Sequence, residues 1–145
     1  MKKVFCVGFM LVGLFMLSGC NSKVLECSKD SSYNEEMKMI QNLKVTFKGN
    51  TINKLSMDMN VELGDTYLEY RDSLIESVES EFISMNDSDN IKYSTSKKDN
   101  GFNFEMTADI KNMDDSTKDK LEIINTGSSY EAAKAEFEKD GYICK

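Results

Sequence analysis

The stretch MKMIQNLKVTFKGNTINKLSMDMNVEL, residues 37–63, decides the fold. Met37, Met39, Leu43, Val45 and Phe47 share one parity, and Leu55, Met57, Met59, Val61 and Leu63 repeat it beyond Gly49-Asn50. Alternation with period two marks strands that bury one face, because successive side chains point to opposite sides of a sheet. Two such runs around a Gly-Asn pair predict a hairpin. Both apolar sets are odd-numbered, so holding them on one face asks for an odd number of connecting residues. Lys48-Gly49-Asn50 as a three-residue loop with a bulge meets that demand.

A second hairpin is expected further on. Ile91, Tyr93 and Thr95 are odd while Phe102, Phe104, Met106, Ala108 and Ile110 are even, which asks for an even connection. Asn100-Gly101 as a type I′ turn supplies it and would pair Asp99 with Phe102, Tyr93 with Ala108 and Ile91 with Ile110. Between the hairpins, Thr66 followed by Glu69 reads as a capping box. Tyr67, Tyr70, Leu74, Val78 and Phe82 then recur at helical spacing. A short helix is expected around residues 116–124. A last one follows the capping pattern of Ser128 and Glu131, carries Tyr130, Ala133 and Phe137 on one face, and stops at Gly141. Tyr142-Ile143-Cys144 reads as extended. The order is β-β-α-β-β-α, an α+β fold of two layers in which an antiparallel sheet of two hairpins is covered on one face by helices.

The first residues have a different character. Met1-Lys2-Lys3 precede an unbroken apolar run from Val4 to Leu17, the length of a signal-peptide core and short of the roughly 20 residues that span a bilayer. The run closes on Leu17-Ser18-Gly19-Cys20, which resembles a bacterial lipobox. The resemblance implies removal of residues 1–19, diacylglyceryl modification of Cys20 and an amino terminus open to further acylation. Residues 20–24 would be the lipidated cysteine and tether, and 25–145 a single domain on the extracytoplasmic face of the membrane. Two or more acyl chains suffice for stable anchoring, whereas one is marginal.

With Cys6 in the leader and Cys20 carrying lipid, Cys27 and Cys144 remain. A pair in an oxidising compartment reads as one disulfide, and the alternatives are two buried free thiols or a thiolate site. A redox site would want a close Cys-x-x-Cys partner, which the sequence lacks.

About 126 residues would remain after cleavage, enough for one domain with a core. Loss of Lys2 and Lys3 takes the formal charge from −7 to −9, which argues against nucleic acid and against adhesion to anionic lipid or wall polymer through net charge. The chain has no histidine, tryptophan or proline. The usual general base and the commonest zinc ligand are therefore missing.

The lipobox, the cysteine after a short tether, Val45-Thr46-Phe47-Lys48-Gly49-Asn50 and the terminal Gly141-Tyr142-Ile143-Cys144-Lys145 together resemble small lipoproteins of low-G+C Gram-positive bacteria, including the YehR-like group. The resemblance implies location and fold, and it names no substrate.

Three constellations bear on chemistry. Met37-Lys38-Met39 and Met57-Asp58-Met59 place thioethers suited to Cu(I) on neighbouring strands, but they continue the core parity and read as core filling. Asp87-Ser88-Asp89-Asn90 with Asp114-Asp115 could collect a hard cation, without the glycine and distant glutamate of an EF-hand. Tyr33, Tyr67, Tyr70, Tyr93, Tyr130 and Tyr142 could serve recognition, although most fall on expected core faces. No Ser-His or Cys-His pairing and no phosphate-cradling loop is present, and no pair of carboxylates can be singled out. The expectation is a monomeric, non-catalytic binding module without cofactor, partnered by the membrane through its lipid and by an envelope protein or small ligand. A carboxylate-based envelope hydrolase is the alternative, and a Met-based Cu(I) protein the third.

Overall fold

In a computed structural model, which describes residues 22–83, 89–121, 125 and 127–145, the two hairpins share one six-stranded antiparallel sheet. Its strands are β1 (Ser22–Asp30), β2 (Met37–Lys48), β3 (Thr51–Leu63), β4 (Ile91–Lys98), β5 (Gly101–Ala108) and β6 (Ile143–Cys144), in the spatial order β4-β5-β3-β2-β1-β6. The helices are α1 (Asp65–Leu68), α2 (Arg71–Ile83), α3 (Asp115–Lys120) and α4 (Tyr130–Lys139). None of them is long and apolar enough to cross a membrane.

The parity rule places the core where expected. Leu43, Val45, Phe47, Leu55, Met59, Val61 and Leu63 are buried together with Leu25 and Cys27 of β1 and with Phe102, Phe104, Met106 and Ala108 of β5. Helical residues close over this face: Ile75 and Phe82 from α2, Ala133 and Phe137 from α4. Phe82 lies against Phe104 with ring centroids 4.8 Å apart, and Tyr130 meets Phe47 edge-on at 5.4 Å. Each element is apolar on one side, so burying both stripes together removes the most apolar surface from water. Met37, Met39 and Met57 pack half-buried against the same core.

Several local expectations are corrected. The first turn is two residues, not three: Lys48 pairs with Thr51, and a bulge opposite the Thr46-Phe47 step leaves Asn53 unpaired, so that Val45 faces Leu55. The bulge restores the parity that an odd loop was expected to supply. In the second hairpin the turn is Asp99-Asn100, pairing Lys98 with Gly101, Ile91 with Ala108 and Tyr93 with Met106. The pairing slides by two residues against expectation, and the faces are unchanged. The helix after β3 does not run on from a Thr66 cap. A single turn at Asp65–Leu68 breaks at Glu69-Tyr70, α2 begins at Arg71, and Tyr70 is 54% exposed. Arg71 Nη1 donates to the Lys98 carbonyl at 2.9 Å, fixing that start against the end of β4.

The later caps are partly as read. Ser129, rather than Ser128, accepts from the Ala132 amide at 3.4 Å, and Gly141 ends α4 in the left-handed region at φ 90°. The Tyr142 amide reaches back to the Phe137 carbonyl at 3.0 Å, a Schellman-type closure. The helix expected over residues 116–124 spans Asp115–Lys120, with residues 122–124 outside the described part. Its cap is Asp114, whose carboxylate accepts from Ser116 Oγ and from the amide and hydroxyl of Thr117. Those hydrogen bonds hold the Asp114 carboxyl well below the usual carboxylate range.

Residues 22–24, read as tether, already pair with Thr46–Lys48, so the strand begins two residues after Cys20. Cys27 and Cys144 are disulfide-bonded across β1 and β6. Glu26 and Lys145 exchange both backbone hydrogen bonds, which makes the Cys27–Cys144 position the non-hydrogen-bonded pair where strands lie closest; their Cα atoms are 4.0 Å apart.

Candidate functional site

None of the described helices covers the other face of the sheet. Its side chains are the even-numbered ones of β1, β2 and β4, Ser56 to Glu62 on β3, and the odd-numbered ones of β5. One row runs across all six strands as Ile143, Ser28, Asn42, Asp58, Glu105 and Ser94. The next is Glu26, Lys44, Ser56, Thr107 and Lys92, and a third is Asp30, Ile40, Asn60, Asn103 and Ser96. The middle of this face is dished into an open groove of about 510 Å³, bordered by Ser28, Asn42, Ser56, Asp58, Glu105 and Ile143 among others.

Asp58 and Glu105 are direct cross-strand partners in the groove, so the expectation that no carboxylate pair stands out does not hold. Asn103 donates its amide to Asp58 Oδ2 at 3.0 Å and to Glu105 Oε1 at 3.3 Å, and Asn42 approaches Asp58 Oδ1 at 3.5 Å. Like charges directly opposite each other destabilise a sheet. The Asn103 amide, shared between the two carboxylates, offsets that repulsion and links the pair. Lys98 donates to Asn60 beside them, and Lys44 pairs with Glu26 at 3.1 Å. Both Lys44 and Glu26 are largely exposed, so that ion pair adds little stability.

Of the residues singled out in the sequence, Cys27 and Cys144 come together at one edge of the sheet, on its covered side, and Cys20 lies outside the described residues. The methionines point to the covered side, where Met59 Sδ accepts from Gln41 at 3.8 Å. Asp87 and Ser88 lie outside the described residues, and Asp114 is engaged as a helix cap. Among the described residues no three Cys, His, Asp or Glu side chains converge as metal ligands would. Tyrosines divide: Tyr33 is 87% exposed, whereas Tyr142 is clamped between Phe137 and Gln41, its hydroxyl donating to Gln41 Oε1 at 2.9 Å. Burial, with Asp140 nearby, raises its ionisation above the ordinary phenol range.

The fold has a solved counterpart. A protein from Streptococcus pneumoniae TIGR4, determined by NMR, is similar with a TM-score of 0.61 and 12% identity, over 100% of this chain and 98% of that one. At that identity the likeness is one of fold alone. No family profile and no curated protein matches the sequence.

Asn42, Asp58, Asn103 and Glu105 escaped the sequence reading. Their signal was present: Asn and Asp are poor strand formers, and they recur at the outward positions of strands whose inward positions are strongly apolar.

Proposed function

We propose that this is a lipid-anchored extracytoplasmic lipoprotein that acts by non-covalent binding at the cell envelope, with the uncovered sheet face as its binding surface. The observation that supports the reading is the groove itself, a dished, hydrogen-bonding surface on a rigid sheet. Rigid strands hold polar groups at fixed spacing, which lowers the ordering cost of recognition. Asp58, Glu105 and Glu26 supply acceptors, and Ser28, Ser56, Thr107 and Asn42 supply both donors and acceptors. Such a surface suits a polar ligand rich in hydroxyl or amine donors, whether a small molecule or a segment of an envelope protein.

The hydrolase reading draws on the same pair, Asp58 and Glu105. Acid and base roles need two carboxyls in unlike surroundings. Here one amide, Asn103, serves both, which favours binding.

A photo-crosslinking residue in place of Ser56, in the anchored protein in its own cells, is expected to yield a discrete adduct that Asp58→Asn with Glu105→Gln abolishes. The same probe at Lys97, on the helix side, is expected to give none. Equal adduct patterns at the two positions, or none at Ser56, would contradict the assignment.

A further inference from the structure

The two ends of the sheet differ in charge balance, and the end nearest Cys20 has lysines gathered around a groove. Ser22 pairs with Lys48, so β1 begins beside the Gly49-Asn50 turn. Only Asn21 separates Cys20 from Ser22, two steps with a reach of at most about 7 Å. At this end a second groove, of about 460 Å³, is bordered by Lys48, Thr51, Ile52, Lys111, Asp115 and Lys118 among others. Lys118 pairs with Asp115 at 3.0 Å, while among the described residues neither Lys48 nor Lys111 has a carboxylate within ion-pair distance. Lys23 lies at the same end, its ammonium 5.2 Å from the centre of the Tyr130 ring. The same end carries the carboxylates of Asp109, hydrogen-bonded to Asn112, of Asp114, the cap of α3, and of Asp115, the partner of Lys118; at the groove itself three lysines stand against Asp115 alone.

At the opposite end carboxylates outnumber the cations Arg71, Lys97 and Lys98. Glu35 and Glu36 sit in the β1–β2 loop, Glu62 at the end of β3, Asp65 and Glu69 around α1, and Asp99 in the β4–β5 turn. Backbone hydrogen bonds bring these segments together, from the Gly64 amide to the Glu36 carbonyl and from the Leu63 amide to the Asn100 carbonyl, both 2.7 Å. In a chain of such negative balance, placing Lys48 and Lys111 without ion-pair partners among the described residues beside the anchor is what an anionic surface would require. Interactions with that surface fade within about 8 Å at physiological salt, so the lysine end is in range and the acidic end, about 30 Å away along the nine residues of β1, is not.

We propose that Lys48, Lys111 and Lys118, with Lys23, rest on the anionic phosphate headgroups of the leaflet that holds the acyl chains of Cys20. The strands then stand up from the membrane, with the acidic end outermost and the grooved face turned sideways, open to the envelope. The proposal rests on the lipid-anchor reading.

The test uses the processed, lipidated protein reconstituted in vesicles of phosphatidylcholine alone or of phosphatidylcholine with phosphatidylglycerol. Lysine acetylation is then followed residue by residue by mass spectrometry. Labelling of Lys48, Lys111 and Lys118 is expected to slow by about five-fold in the anionic vesicles, the factor that one lysine near an anionic surface commands. Raised salt should remove the protection, and Lys97 and Lys98 should label alike in both vesicles. Equal labelling of the lysine end in the two compositions would overturn the proposal alone. Failure of the protein to enter either vesicle would overturn the anchor reading, and the proposal with it.

Discussion

Replacing Cys27 and Cys144 together by alanine is expected to lower the free energy of unfolding by about 4 to 5 kcal/mol, the chain-entropy value for a loop near 100 residues. The bridge spans 117 positions, and nearly all the described chain lies inside the loop it closes. Without it, β6 keeps two paired positions on β1 and is held otherwise by the contacts of Tyr142 with Phe137 and Gln41. Strand β6 and the end of α4 should therefore loosen first. Equilibrium denaturation in the presence and absence of reductant measures the loss, and a shift in Tm of about 15 °C is expected for a domain of this size. A loss below about 1 kcal/mol would mean that the short strand and the Tyr142 contacts hold the terminus unaided.

Gly101→Val is expected to cost about 3 kcal/mol or more, or to prevent folding. Gly101 opens β5, between Glu62 of β3 and Lys98 of β4, and is buried. A Cβ there would stand 1.9 Å from the Val61 carbonyl oxygen and 2.9 Å from its carbon. That neighbour is backbone of an inner strand, fixed by ladders on both sides, and cannot yield as a flexible side chain would. Gly49 is the control. Its φ of 63° disfavours other residues, yet nothing lies within 4 Å of its added Cβ, so Gly49→Ala should cost about 1 kcal/mol. Thermal melts of the two variants would contradict this account if Gly49 proved the more sensitive.

Gly101 also explains why part of the fold was legible in the sequence and part was not. Parity is a property of each strand alone, and the face assignment of residues 37–63 and of 91–110 could be read from it. Register depends on neighbours. Asn100-Gly101 has the better local chemistry for a type I′ turn, yet Gly101 is drawn into the ladder because β3 approaches too closely for any other residue. Likewise the bulge at Asn53 substitutes for an odd loop with the same effect on facing. Strand β1 is not legible in the sequence because Val24, Leu25 and Cys27 are its only apolar residues and its pairing comes from the distant β2 and β6. The break at Glu69-Tyr70 sets Arg71 against the distant Lys98 carbonyl, a contact that no helical periodicity encodes.

The groove was less legible than the core for a related reason. Apolar residues at one parity announce burial whatever their partners, whereas Asp58 and Glu105 gain meaning from standing opposite each other, 47 positions apart in sequence and joined by Asn103. The bridge between Cys27 and Cys144 could be anticipated because elimination left two thiols, a matter of counting rather than of geometry.

The claim that carries compartment, orientation and binding surface together is that Cys20 is the lipid-modified first residue of the mature protein. Cys20→Ala expressed in the native host, followed by temperature-induced detergent phase separation and mass measurement, tests it directly. Retention of the leader and loss of the protein from the detergent-rich phase is the predicted result; unchanged cleavage and unchanged partitioning would contradict it.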